Sequence, residues 1–169
     1  MKRKKKFFLA FLFFILLGML IPQQLKMPVQ GASAVDYNAE TFWYYPWGKS
    51  VTHKGVDVFA KTGTPIHSAT TGIVLYAGTI SMGGNFVLIL GPKWRLHYYA
   101  HLDEISTSTL SFVSQSRKIG TVGTSGNAAG KSPHLHYSIV TLVPYPWRID
   151  GSKQGWKKMF YLNPIDYFN

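Results

Sequence analysis

Between residues 56 and 141 the chain consists of short β-branched and aromatic runs separated by Gly, Pro and Ser, a pattern that favours strands. No stretch carries an apolar stripe with helical spacing for more than about ten residues, which argues against a helical fold. The run 86–90 is apolar at every position, so it predicts a strand covered on both faces. Residues 102–116, rich in Ser and Thr, are predicted to form a loop with one helical turn. We therefore predict a mainly β domain. Its candidate strands are Val56–Ala60, Gly72–Ala77, Asn85–Leu90, Trp94–His101, Ile119–Val122 and His134–Thr141.

The N-terminus has the composition of an export signal. Five basic residues at positions 2–6 precede fifteen apolar residues at 7–21, and Pro22 follows. A bilayer-spanning helix needs about 20 apolar residues, so this run is short for a stable anchor. Ala32-Ser33-Ala34 offers a cleavage site, which favours a removable signal peptide over an uncleaved signal-anchor for residues 1–34. In either case we expect export to the periplasm or cell envelope, with a tether to the inner membrane only through residues 7–21 if they are retained.

The positive charge of the chain is concentrated at this end. The net charge is +11, but six of the 18 Lys and Arg residues lie in the first 34 positions with no acid among them. Residues 35–169 keep a net charge of +5. A mildly basic exported domain suits an anionic polymer such as a cell wall, although an ordinary basic surface has the same charge. No clustered basic run follows Lys26, which disfavours a nucleic-acid partner.

The remaining chain is long enough for one domain. Residues 35–47 are predicted to form a linker with an aromatic lead-in, since the segment 42–47 holds five aromatic residues and a proline. Residues 48–169 are predicted to form a single domain, and we expect it to be a monomer.

Any metal site in this chain must use histidine and carboxylate ligands, because there is no cysteine. His134 and His136 stand two apart in a predicted strand, so they lie on the same face. His53 and Asp57 are four apart, and a straight strand would separate them by about 13 Å, too far to share an ion. The backbone must therefore bend, and Gly55 permits it. We predict that the strand begins at or after Gly55.

These residues predict a metal site with three protein ligands. The set is His53, Asp57 and either His134 or His136, and the residues alone leave that choice open. Three protein ligands plus a place for water is the form of a catalytic zinc site, where bound water reaches a pKa of about 7. No His-Glu-x-x-His is present, so the base is expected to be His101 or the unused member of the 134/136 pair.

Several blocks occur in an order that resembles one family. They are His53-x-Gly-Val-Asp57, Gly63-Thr64-Pro65, Gly72-x-Val74, Tyr99-Ala100-His101-Leu102, Ile119-Gly120, Pro133-His134-Leu135-His136-Tyr137 and the closing Asn163-Pro164. Their order and spacing resemble the M23 family of zinc metallopeptidases, similar to lysostaphin and the LytM-type peptidoglycan endopeptidases. The resemblance covers about residues 48–141.

The resemblance carries expectations about fold, chemistry and substrate. It implies a single antiparallel β domain with a central groove. It implies that His53, Asp57 and His136 bind Zn²⁺, while His101 and His134 act on the zinc-activated water and the tetrahedral intermediate. The expected reaction is hydrolysis of peptide bonds in peptidoglycan, as an endopeptidase on stem peptides or cross-bridges.

One departure concerns a tyrosine that some members place just before the His-x-x-x-Asp block to assist the transition state. The nearest aromatic residue here is Trp47, and Tyr44 or Tyr45 would have to reach the site from further away. His67 and His97 are predicted to be structural, although His97 shares strand parity with His101.

Two other functions use the same fold. One is a non-catalytic wall-binding or amidase-activating module, which members of this family become when they lose zinc ligands; none is lost here. The other is an exported carboxypeptidase or protein peptidase, which would use the same site with a different groove.

Overall fold

A computed structural model describes residues 2–168 and shows one nine-stranded sheet in which every strand pairing is antiparallel. The main path runs β1-β8-β5-β4-β3-β6, while β7 pairs with β2 and β5, and β9 pairs with β8. The prediction of a mainly antiparallel β domain is confirmed. The strands are β1 Val56–Phe59, β2 Pro65–His67, β3 Gly72–Ile80, β4 Gly84–Gly91, β5 Arg95–Ile105, β6 Phe112–Val113, β7 Lys118–Val122, β8 His134–Thr141 and β9 Tyr161–Leu162.

All six predicted strands are present, but β3 and β5 extend several residues beyond their predicted ends. The predicted helical turn within 102–116 is wrong, because β5 continues to Ile105 and β6 pairs with β3. The sequence did not indicate β2, β6 and β9. These strands have two or three residues, too few for an alternating pattern to be recognised.

Strand β8 lies centrally and separates the core from the groove. Leu135, Tyr137 and Ile139 are fully buried in the hydrophobic core. The intervening residues therefore face the opposite side of the sheet, since side chains alternate along a strand. This face includes His134 and His136, as the spacing predicted. In β4, none of the apolar residues 86–90 is exposed, which agrees with a strand covered on both faces.

The N-terminal segment forms helix α1, Lys2–Leu20, which packs through its C-terminal half against the turn before β5. Trp94 donates its indole N–H to the carbonyl of Ile15 at 2.9 Å, and its ring lies 4.6 Å from that of Phe14. Most apolar side chains of α1 are exposed. Within residues 2–168, no helix combines the length and the apolar character needed to cross a bilayer. The role of this segment in export remains a prediction.

Residues 23–30, which we call the N-terminal strap, pack against the domain. Leu25 and Val29 are 5% and 2% exposed and belong to the same core cluster as the strands. Three backbone hydrogen bonds attach the strap to the segment 65–69: Lys26 N–H to Ala69 O, Gln30 N–H to Pro65 O and His67 N–H to Pro28 O. A domain beginning at residue 48 would lack all of these contacts.

His97 is a buried structural histidine, as predicted. Its Nε2 lies 3.1 Å from the Gln23 side-chain nitrogen, which can only donate, so the ring must donate its Nδ1–H to the Tyr137 hydroxyl at 2.6 Å. Complete burial, and then the positive charge of Arg95, lower the pKa of His97 to about 3. The folded protein therefore keeps this ring neutral.

We expect His97 to make folding stability fall as the pH drops below 6.5, the ordinary pKa of histidine. In that range the unfolded chain binds a proton that the folded chain does not, so stability falls by up to about 1.4 kcal/mol per pH unit. Urea unfolding at several pH values between 7.5 and 5 measures this slope. In His97→Gln the unfolded chain should take up about one proton fewer on unfolding, which lowers the slope of stability against pH by up to about 1.4 kcal/mol per pH unit. Equal slopes in both proteins would contradict the assignment.

Candidate metal and catalytic site

The segment that carries His53 and Asp57 bends immediately before β1. The strand begins at Val56, which confirms the prediction that it starts at or after Gly55. Gly55 lies against β8, and a Cβ at this position would overlap the carbonyl oxygen of Tyr137 and the hydroxyl of Ser138. The glycine is thus required for the close approach of the two segments. Its φ lies outside the left-handed region, so the bend itself does not depend on glycine.

Strands β1 and β8 bring the acidic and imidazole groups together. Asp57 is the direct partner of His136 in their antiparallel register, and Phe59 is the partner of His134. Asp57 Oδ1 lies 2.7 Å from His136 Nδ1 and 3.1 Å from His53 Nε2, and these two nitrogens are 3.1 Å apart. Three potential ligand atoms, two from the segment 53–57 and one from β8, therefore converge on one point.

The protonation of His53 suits a cation at this point. Its Nδ1 lies 3.1 Å from the carbonyl oxygen of Thr41, which can only accept, so Nδ1 carries the proton. In the neutral ring Nε2 then presents a lone pair to the carboxylate of Asp57. Such an arrangement is repulsive unless a proton or a metal ion lies between the atoms. Two imidazole nitrogens and one carboxylate oxygen fit zinc.

Asp57 is ionised in this environment. Burial disfavours its charge, but in the metal-free cluster hydrogen bonds that need a proton on His136 Nδ1, and then on His53 Nε2, outweigh burial and hold the pKa of Asp57 well below its ordinary value. A bound metal ion would take the place of these protons. The site therefore keeps a negative charge at neutral pH with which to attract a cation.

His101 reaches the same groove through a bulge in β5. Residues 99 and 102 pair with 87 and 85 of β4, so β5 contains one extra residue here. His101 adopts a left-handed backbone conformation with φ of 67°, which is uncommon for a residue other than glycine. The parity argument that placed His97 on the same face as His101 is therefore wrong. His97 lies in the core, whereas the bulge directs His101 into the groove.

His101 and His134 flank the cluster with their rings 5.1 Å apart. The Nδ1 of His101 donates to the carbonyl of Ser125 at 3.0 Å, and that of His134 to the carbonyl of Ser132 at 2.8 Å. Each ring thus has Nε2 available on the groove side, and His134 Nε2 is 4.0 Å from Asp57 Oδ2. Burial, and then the charge of His136, lower the pKa of His101 to about 4, so its ring is neutral near pH 7.

The groove above the cluster has a volume of about 430 Å³. Trp47 and Tyr98 line it, whereas Tyr44 and Tyr45 do not. The Trp47 ring stacks on His53 at 4.2 Å with an interplanar angle of 25° and covers this nearly inaccessible imidazole. Sequence reasoning did not identify Tyr98 as a groove residue. Tyr98 lies two residues before Ala100, which pairs with His136 in the sheet. Side-chain alternation along β5 therefore places Tyr98 on the groove face once this register is known.

Several proteins similar to this chain are peptidases by name. The chain is 35% identical over 85 residues to the DD-carboxypeptidase/endopeptidase Mpg of Neisseria meningitidis, a match that covers 50% of this chain and 19% of that protein. A zinc-containing peptidase from Vibrio cholerae is 26% identical with a TM-score of 0.57, over 69% of this chain and 36% of that one. The chain thus corresponds to only part of each of these proteins.

The fold is that of the lysostaphin catalytic domain. The structure of that domain from Staphylococcus simulans matches with a TM-score of 0.60 at 24% identity, over 80% of this chain and 97% of that one. The model of peptidase family M23 matches residues 51–146, more than half of the chain. That segment contains His53, Asp57, His101, His134 and His136, so the chain that brings these five side chains together belongs to peptidase family M23.

Proposed function

We propose that this protein is a zinc-dependent peptidase that hydrolyses peptide bonds in peptidoglycan, acting as an endopeptidase on stem peptides or cross-bridges. The observation that carries the proposal is the convergence of His53, Asp57 and His136 within 3.1 Å, directly beside two histidines whose Nε2 atoms are available. Membership of the M23 family supports a peptidase, because the match includes all five of these residues.

His53 Nε2, Asp57 Oδ1 and His136 Nδ1 would hold the zinc ion. When bound, zinc supplies Lewis acidity that lowers the pKa of a water molecule to about 7 and polarises a carbonyl group. Asp57 contributes the negative charge of the ligand set. The Trp47 ring stacks on His53 and shields it from solvent, so water competes less with the metal for the His53 imidazole.

His101 and His134 would move the protons. His101 is neutral near pH 7 and has an unprotonated Nε2, so it can accept a proton from the attacking water. His134 faces the same space across a ring separation of 5.1 Å. Together the two Nε2 atoms would take one proton from the water and return one to the leaving nitrogen. Both rings are held by backbone carbonyls, so little reorientation is required.

The location proposed from the sequence follows from this substrate. An enzyme acting on peptidoglycan must lie outside the cytoplasm, which agrees with an N-terminal export segment of basic and then apolar residues. We propose that the protein works in the periplasm or cell envelope as a monomer. If helix α1 is retained, it would tether the domain to the inner membrane.

Digestion of purified peptidoglycan by the full chain tests this proposal. The zinc-loaded protein, kept in mild detergent because of α1, is expected to release soluble muropeptides that mass spectrometry identifies. Loss of a terminal residue from stem peptides would indicate a carboxypeptidase, and cleavage of linked stems or bridges an endopeptidase. His136→Ala should release nothing, whereas His67→Ala, a change outside the groove, should behave as wild type.

The same experiment separates the alternative of a non-catalytic module. Such a module would bind the wall material without releasing fragments, so neither wild type nor His136→Ala would release soluble muropeptides. That result would contradict the enzymatic proposal.

A further inference from the structure

His136 presents Nδ1, not Nε2, to the cluster, and something must hold the ring in this orientation. Its Nε2 points away from Asp57 and lies 3.0 Å from the hydroxyl oxygen of Ser138. The same hydroxyl lies 2.8 Å from the carbonyl oxygen of Lys54. Ser138 is 5% exposed, so these contacts are removed from solvent.

The hydrogen positions of this pair follow from the chemistry of the three groups. A carbonyl oxygen can only accept, and a serine hydroxyl has a single hydrogen, so that hydrogen is donated to Lys54 O. Ser138 Oγ can then only accept from His136, which places a proton on Nε2 and leaves the Nδ1 lone pair for a metal. A ring with its proton on Nδ1 would face Asp57 as a donor and could not serve as a ligand there.

Lys54 lies between the two ligands His53 and Asp57, so its carbonyl belongs to the bend. One hydroxyl therefore connects the bend that carries two ligands with the strand that carries the third. Gly55 provides the space, since a Cβ there would overlap Ser138 Oγ. Preorganisation of ligands through such outer contacts typically contributes 10-fold to 100-fold to metal affinity.

We propose that Ser138 is a positioning residue that fixes the tautomer of His136 and the 53–57 bend in the geometry required to bind metal. This inference rests on the proposed metal site. The Ser138 hydroxyl donates its hydrogen to Lys54 O and can only accept from His136 Nε2. It therefore requires the His136 tautomer with the proton on Nε2. The residue does not contact the groove and takes no part in proton transfer.

Zinc affinity, measured by competition with a chromogenic chelator, tests the proposal without any substrate. Ser138→Ala is expected to weaken zinc binding by about 10-fold to 100-fold. Ser68→Ala is the matched control, because Ser68 is also a buried serine whose hydroxyl donates to a backbone carbonyl, but it lies away from the cluster. It should lose stability and keep wild-type affinity. Equal affinities in wild type and Ser138→Ala would overturn the proposal.

A second pair of variants separates the hydroxyl from the packing. Ser138→Thr keeps the hydroxyl and Ser138→Val replaces it at nearly equal shape, so the Ser138→Thr protein should bind zinc at least 10-fold more tightly than the Ser138→Val protein. The visible spectrum of bound Co²⁺ should differ from that of wild type in Ser138→Val and match it in Ser138→Thr. Equal affinities in the pair would overturn the proposal even if Ser138→Ala fails to fold. A wild type that binds zinc no better than His136→Ala would overturn the metal site itself, whereas an inactive wild type with tight zinc binding would contradict only the proposed function.

Discussion

Replacing Asp57 with alanine is expected to abolish metal binding and hydrolysis together. The carboxylate is the only anionic group in the converging cluster, and both imidazoles contact its Oδ1. Without it, two neutral imidazoles remain, too few to retain zinc tightly. Metal analysis after dialysis should give about one zinc per chain for wild type and almost none for the variant. Release of muropeptides should fall to background.

His134→Ala should also reduce hydrolysis, but it should leave metal binding intact. His134 is not in the three-atom cluster, and its Nε2 is 4.0 Å from the nearer oxygen of Asp57. We therefore expect wild-type zinc content with turnover reduced by about 10²-fold to 10⁴-fold, the usual contribution of a group that transfers protons. The comparison assigns different roles to two histidines that stand two residues apart. Equal zinc loss in His134→Ala and Asp57→Ala would contradict that assignment.

The amino-acid pattern predicted the part of the site that depends on local geometry. Alternation along β8 placed His134 and His136 on one face, and the impossibility of reaching one ion from a straight strand predicted the bend at Gly55. The central strands were recognised because each had enough β-branched and aromatic residues to show a pattern. These inferences need only the repeat of a strand and the reach of a side chain.

The parts that were missed depend on tertiary contacts. His101 was predicted as a catalytic residue, but the way it reaches the groove was not: one extra residue in β5 breaks the alternation, and no composition signal marks that bulge. The roles of Trp47 and Ser138 arise from a ring stacked on His53 and a hydroxyl beside His136. Trp47 lies across a turn from His53. Ser138 shares a strand face with His136, but the role of its hydroxyl depends on Lys54 O, which comes from a distant part of the chain. A pattern along one segment does not contain these contacts.

The N-terminal strap, residues 23–30, is another feature that the sequence pattern did not predict. Its removal should strongly lower the free energy of unfolding of the domain. Burial of a side chain such as Leu25 or Val29 contributes about 1.5–3 kcal/mol each. Deletion of residues 1–34 would also leave buried partners such as Ile66 exposed and backbone groups of the segment 65–69 without hydrogen bonds. Since a domain of this size is stable by only about 5–15 kcal/mol, we expect residues 35–169 to be largely unfolded.

Residues 22–169 are the matched comparison, because this chain lacks α1 but keeps the strap. It should unfold cooperatively in urea, whereas residues 35–169 should show little or no transition by circular dichroism. In the longer chain, Leu25→Ala should lower the free energy of unfolding by about 2–5 kcal/mol. Equal stability of the two truncated chains would show that the strap is dispensable.

The same contacts bear on processing of the export segment. Cleavage after Ala34 would separate the strap from the core into which Leu25 and Val29 pack, so it would yield the unstable chain. We therefore expect the protein isolated from cells either to retain α1 or to begin before Gln23, which intact-mass spectrometry can measure. A mature chain that begins at Val35 and is as stable as residues 22–169 would contradict both this expectation and the proposed role of the strap.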